Sequence, residues 1–213
     1  MSEMAAAATE NPTAAPAEPA ETAQAQEGVR VRPITVAEYH RMDDAEIFGP
    51  EERLELLDGV LFEIPPMSPE HAYAVRRLTT VFVQRFAGRA AVSAQNPITL
   101  DEISEPQPDI MLNELPEERY AKAHPTPDDA MLVVEVSMSS LKFDLGRKLR
   151  AYARRGVREY WIVDLVHERV EVYRGPAGEA YRVHLSAGRG ESVAPLAFPN
   201  EALVVDEILP PPE

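Results

Sequence analysis

The sequence predicts an α/β domain, a mixed β-sheet with flanking helices and with hairpins at its margins. Three observations carry this prediction. Ala130–Ser137 and Glu159–Leu165 are almost continuous apolar runs, the pattern of sheet strands buried on both faces. A helical segment lies between them, and a strand–helix–strand unit of this size joins parallel strands. Alternating segments joined by Asp58-Gly59 and by Gly175–Gly178 read as antiparallel hairpins.

Taken in order, Thr35 can cap a short helix over 36–42 that carries Ala37 and Tyr39. Arg53–Leu57 and Val60–Ile64 flank Asp58-Gly59, a pair that tolerates the positive φ of a type I′ turn. Ser68 then caps a helix with Pro69 at its first position. Ala74, Val75, Leu78, Val81, Phe82 and Phe86 form one apolar stripe on it, and Gly88 ends it. Strands are expected near 90–100 and 108–112, followed by the strong strand 130–137. Residues 143–155 read as a helix with Leu145, Leu149 and Tyr152 inward and Gly156 as its stop. The strand 159–165 follows, and then a hairpin of 169–174 with 180–185.

The chain has 213 residues, which suits one domain, and 45% hydrophobic content is enough for a core. Residues 1–28 hold Ala, Pro, Glu, Thr and Gln with almost nothing bulky, so a disordered tail is expected there. The domain is expected over 29–208, and Leu209–Glu213 reads as a short extended end. The only apolar run near the start, Ala5–Ala8, is flanked by Glu3 and Glu10, so no export signal is visible. No run approaches a membrane span, and a cytoplasmic location is expected. The absence of Cys excludes disulfides, thiol catalysis and thiolate metal sites. A net charge of -15 argues against a basic nucleic-acid coat protein or a polybasic membrane binder.

A few carboxylates and one basic helix concentrate the chemistry. Glu135 lies inside Leu132-Val-Val-Glu-Val136, where an unpaired carboxylate would cost several kcal/mol. Asp109, after Pro108, opens a second apolar strand. Two carboxylates on neighbouring strands make an oxygen-lined site for Mg²⁺, which takes one or two carboxylates and leaves its other positions to water and phosphate. The segment 142–158 carries seven basic residues against one acid, Asp144, a net +6 against -21 for the rest of the chain. Beside an acidic pair, that concentration suits a phosphate polyanion. The bland alternative is a solvated helix face with an Asp144–Lys148 pair at i,i+4.

Several motifs resemble one family in order and spacing. They are Arg53-Leu-Glu-Leu-Leu-Asp-Gly59, Ser68-Pro-Glu-His71, Pro108-Asp109-Ile, Val134-Glu-Val-Ser137, Asp144-Leu-Gly-Arg-Lys148 and Gly156–Asp164. Over about residues 30 to 185 the chain resembles the Uma-type family of "putative restriction endonucleases", a branch of the PD-(D/E)XK nuclease superfamily. The resemblance implies a restriction-endonuclease-like core. It also implies metal-dependent hydrolysis of phosphodiester bonds, with Mg²⁺ or Mn²⁺ as cofactor and nucleic acid, DNA first, as partner. Asp109 matches the metal-binding Asp, and Glu135 matches the second acidic ligand, with the Val136 carbonyl beside it. The usual Lys two residues after that Glu is Ser137 here, and Lys148 stands where related families supply the Lys from the next helix. Lys142 is the lesser substitute. Glu55 matches a helper acid, while its ordinary reading is an exposed hairpin position. The family often has Gln after the His of the His71 motif, where this chain has Ala72.

In that reading Lys148 orients water or stabilises the phosphate in the transition state, and Arg147, Arg150 and Arg154 contact backbone phosphates. The alternatives are a catalytically inactive binding module that keeps the fold and a structural ion-pair network. Cutting both strands of a duplex calls for two sites, which leaves a homodimer open. The five His are scattered, and His71 at a helix start reads as structural. Trp161 reads as core. Ser137 lacks a paired His, which argues against serine hydrolysis.

Overall fold

Local signals in the sequence set most of the element boundaries. The computed structural model describes residues 30–212. The tail expected over 1–28 therefore lies outside the described residues. Helix α1 (Val36–Asp44) starts at Thr35, whose side chain accepts the Glu38 N–H while the Glu38 carboxylate accepts the Thr35 N–H, a reciprocal capping box. Strands β1 (Leu54–Leu57) and β2 (Val60–Glu63) pair antiparallel across Asp58 (φ 52°) and Gly59 (φ 74°), as the turn chemistry predicts. Helix α2 (Pro69–Phe86) is capped by Ser68, and its buried residues are the six of the predicted stripe.

The central sheet takes strands β3 (Ala91–Ala94), β4 (Ile110–Asn113), β5 (Ala130–Ser137), β6 (Glu159–Asp164), β7 (Arg169–Ala177) and β8 (Ala180–Gly188), in that spatial order. Only β5 and β6 run parallel, joined by the predicted crossover, and every other pair is antiparallel. A small ladder, β9 (Ser192–Val193) with β10 (Leu203–Val204), follows. The fold is thus the mixed α/β sheet with flanking helices that the sequence predicts.

Successive strand residues alternate between two cores. Ile110, Leu112, Leu132, Val134, Trp161 and Val163 pack with Ala74, Leu78, Phe82 and Phe86 of α2. Met111, Val133, Tyr160 and Ile162 pack on the opposite face with Ala151 and Tyr152. Each buried Leu, Ile or Phe contributes about 1.5–3 kcal/mol, so both helices are fixed by their apolar faces. Leu209 is also buried in the α2-side core, one residue past the expected domain end. Among the described residues, no helix is long and apolar enough to cross a membrane.

Three expectations need correction. The strand near 90–100 stops at Ala94, because Gln95 turns to φ 53° and the chain leaves the ladder, although Ile98 and Leu100 are still buried. The β7–β8 hairpin runs on through Gly175 and Pro176 to Ala177 opposite Ala180, so its turn is Gly178-Glu179. Pro176 is tolerated because β6 ends opposite Arg174 and leaves that part of β7 with one neighbour. The helix expected over 143–155 is composite: α3 (Leu141–Phe143), a π-helical turn (Asp144–Lys148) and α4 (Leu149–Arg154). The wide turn breaks the 3.6-residue period, so Leu145 is 37% exposed instead of inward, while Tyr152 is fully buried.

Candidate active site

The two acids that stand out in the sequence meet at one end of the sheet. Ile110 pairs with Val134 in the antiparallel β4–β5 ladder, so Asp109, one residue earlier, lies across from Glu135. The Val136 N–H donates to Asp109 Oδ2 at 2.9 Å. Glu135 shares its face with Val133 and points toward α4. Glu55 arrives from the separate β1–β2 hairpin. Leu57, two residues on, is buried in the α4-side core, so Glu55 points the same way and is buried rather than exposed. Two backbone bonds hold the hairpin there, Gly59 N–H to the Ile103 carbonyl and Glu105 N–H to the Leu56 carbonyl, both 2.7 Å.

The π-helical turn delivers Lys148 between these acids. Its ammonium lies 2.9 Å from Glu135 Oε1 and 2.9 Å from Glu55 Oε2, and donates to Glu55 Oε1 at 3.2 Å. The Asp144–Lys148 pair considered from the sequence is replaced by other bonds, since Asp144 Oδ2 takes the Ser137 and Ser140 hydroxyls, each at 2.6 Å. Tyr152 donates its hydroxyl to the same Glu135 oxygen at 2.8 Å. His71 Nε2 sits 3.0 Å from Asp109 Oδ1.

The electrostatics follow from burial. Glu55, Asp109, Glu135 and Asp144 are all buried, and Lys148 is the one ammonium among them. Burial pushes the Glu135 carboxyl well above the usual range and the Glu55 carboxyl up, with Lys148 opposing both shifts. Burial works against the Lys148 charge, but Glu135 and Glu55 outweigh it and hold the ammonium well above its ordinary value. Desolvation, with Glu135 beside it, lifts the Tyr152 phenol well above its usual range. One cation among four buried acids leaves an excess of negative charge, which burial penalises.

These groups floor a cleft of about 660 Å³. Asp109, Glu135, Val136, Glu55, Lys148, His71, Gln107 and Asp144 reach it, and Arg53 lies on its wall. Among the described residues, no three His, Asp or Glu side chains form a ready-made metal cage. The donor set nonetheless fits a hard cation that keeps part of its water. Glu55 Oε2 is buried and accepts no hydrogen bond, because its 2.9 Å contact with Lys148 lies outside hydrogen-bonding angles. Two carboxylates face each other across neighbouring strands, and that is as many as Mg²⁺ commonly takes.

The basic helix contributes less free charge than the sequence suggests. Arg154 is tied to Asp58 and Glu179, so its charge is already matched within the chain. Arg155 pairs with Asp101, and Arg158 lies 3.6 Å from Glu114. Arg147 places its guanidinium 4.9 Å from the Phe62 ring centre, and Arg150 is half-buried. Lys142 is exposed and Lys148 is buried among the acids, which separates the two candidate lysines.

Sequence reasoning passes over His71, Tyr152 and Ser140. His71 reads as a helix-start residue, yet it is the third helical residue of α2 and its ring reaches Asp109. Tyr152 reads as packing, and its hydroxyl carries a polar bond that periodicity cannot reveal. The signal for Ser140 is its spacing from Asp144, four residues along a helix start.

A family model described as "Putative restriction endonuclease", Uma2, matches residues 36–206. The chain belongs to this family. Glu55, His71, Asp109, Glu135, Lys148 and Tyr152 all fall inside the stretch matched to Uma2. The Uma2 chain is similar to a solved "putative nuclease belonging to DUF820" from Anabaena variabilis ATCC 29413. The identity is 16% and the TM-score 0.63, over 83% of this chain and 97% of the other, which establishes a common fold. It also aligns with the type IIG restriction endonuclease BpuSI at 14% identity and TM-score 0.33, over 49% of this chain and 11% of that one. No curated protein matches the chain.

Proposed function

We propose that the cleft is a nuclease active site that hydrolyses phosphodiester bonds in DNA with Mg²⁺ or Mn²⁺. The observation that carries this reading is Lys148, clasped by Glu135 and Glu55 at the buried floor of a cleft that Asp109 also lines. Membership of the restriction endonuclease family supports it. A divalent ion held by Asp109 and Glu135, with the Val136 carbonyl and Glu55 as further oxygen donors, would polarise phosphorus and lower the pKa of a bound water.

The remaining work falls to this chain's own groups. Lys148 donates hydrogen bonds from a fixed position, orienting the attacking water or countering charge that develops on the phosphate. Tyr152 pins Glu135 Oε1 and thereby fixes which carboxylate oxygen faces the cleft. His71 and the Val136 N–H hold Asp109 by its two oxygens. Arg147, Arg150 and Arg154 are the candidates for backbone phosphate contact, Arg154 only by exchanging its ion pairs with Asp58 and Glu179.

The test is plasmid cleavage. The purified protein nicks or cuts plasmid with Mn²⁺ or Mg²⁺, and a chelator stops it. Asp109→Ala and Glu135→Ala abolish the cutting, and Lys148→Ala reduces it strongly. Cutting that survives Asp109→Ala overturns the assignment. Divalent-ion binding without any turnover would indicate the inactive binding module.

A further inference from the structure

We infer that the cleft takes an unpaired nucleotide, so that single-stranded or locally melted nucleic acid is the preferred substrate. This rests on the nuclease reading above. The floor of the cleft is acidic, and beside Arg53 one stretch of its wall is apolar. Phe62, Ile64, Pro65, Met67, Met138 and Phe143 rise beside Glu55 and Glu135. Phe62 and Phe143 meet with ring centres 5.0 Å apart, and the Arg147 guanidinium lies over Phe62. Met67 is 42% exposed and Met138 41% exposed, so both present apolar surface on this side of the cleft.

A phosphate needs cations and hydrogen-bond donors, and none of these wall side chains offers them. A nucleobase has an apolar face that stacks on aromatic rings, Met and guanidinium planes whatever its identity. In a duplex that face is already stacked on its neighbours and is not available to a wall. Two contacts tie the segments of this wall together. Ser68, at the start of α2, donates its hydroxyl to Met138 Sδ at 3.3 Å, and Gln95 donates to Met67 Sδ at 3.0 Å. These contacts join the segment around Met67 and Ser68 to Met138 and Gln95 beyond it. The result is a pocket continuous with the acid–lysine floor, which suits one flexible strand entering with its base against the wall and its phosphate at Lys148.

The experiment compares oligonucleotides of one sequence in the same Mn²⁺ buffer. They are single-stranded DNA, its full duplex, a duplex with an internal unpaired bubble, and single-stranded RNA. Single-stranded DNA or RNA and the bubble are cut at least ten-fold faster than the duplex, a factor that corresponds to about 1.4 kcal/mol. The DNA and RNA arms decide which sugar the site accepts. The double variant Met67→Ala, Met138→Ala removes only surface side chains and so keeps the fold. It slows the cutting of single strands several-fold and so narrows their preference over duplex, and a preference that stays as large overturns this inference. Duplex cut as fast as single strand overturns this inference and leaves the nuclease reading standing. No cutting of any substrate overturns both.

Discussion

Lys148 Nζ lies 2.9 Å from Glu135 Oε1, and a π-helical turn brings the two together from a helix and a strand that are consecutive in the chain. The same ammonium reaches Glu55 on a separate hairpin. One side chain therefore pairs with two buried acids that the fold brings in from different parts of the sequence. That arrangement makes the site sensitive to each of its three members.

Removing the ammonium leaves Glu55 and Glu135 buried without their counter-charge. Lys148→Ala is expected to cost about 3–5 kcal/mol of stability in metal-free buffer. Millimolar Mn²⁺ should restore part of that loss, because a bound cation replaces the missing charge. Urea denaturation with and without Mn²⁺ measures both. A variant as stable as the parent would show that the ion pair does not bear on the fold.

Tyr152→Phe deletes one hydroxyl from a fully buried ring and one hydrogen bond to Glu135. The expected stability loss is about 1.5–3 kcal/mol, the range for a bond to a charged group. Cleavage should fall with it while Lys148 stays in place. An unchanged cleavage rate would remove Tyr152 from the positioning role.

The raised carboxyl of Glu135 sets a pH dependence. A carboxyl whose pKa is higher in the folded state holds its proton there after the unfolded chain has lost it. Stability of the metal-free protein therefore falls as pH rises through the interval between the two values. A cation must displace that proton, so divalent-ion affinity climbs over the same interval. Ionised acidic neighbours hold the Lys148 ammonium well above its ordinary value against the pull of burial. Calorimetric titration with Mn²⁺ between about pH 5.5 and pH 8 should show tightening affinity, spanning the region above the ordinary carboxylate range. Equal affinity at both ends would contradict it.

The hairpin that carries Glu55 depends on Gly59. Its φ is +74°, and a Cβ there would stand 2.2 Å from Pro33 Cβ and 2.8 Å from the Pro33 Cα. Gly88 has φ +70° but open space around it. Gly88→Ala should cost about 1 kcal/mol, and Gly59→Ala clearly more, on the order of 2–3 kcal/mol, with weaker cleavage because Glu55 moves with the hairpin. Thermal melts of the two variants make the comparison, and equal losses would show that the Pro33 contact gives way.

Much of this fold is readable from local chemistry. The six-residue stripe of α2, the Asp58-Gly59 turn, the Thr35 cap and the β5–β6 crossover all follow from period, turn residues or capping, and each is local in sequence. The acids Asp109 and Glu135 stand out because carboxylates in apolar strands are costly. The π-helical turn is not legible, since one inserted residue leaves the composition of a helix unchanged while redirecting Leu145 to solvent. The pairing of Arg154 with Asp58 and Glu179 is hidden for a different reason. A run of basic residues shows its own charge but not the acids that other elements bring to it. His71 and Tyr152 meet their partners only across elements, which a reading by segment cannot see.

The most direct test of the central claim is a crystal grown with Mn²⁺ and measured at the manganese absorption edge. An anomalous peak between the carboxylates of Asp109 and Glu135, with Lys148 beside it, is the predicted result. A map without a peak there, with the Lys148 ammonium still seated between Glu55 and Glu135 at saturating Mn²⁺, would contradict it.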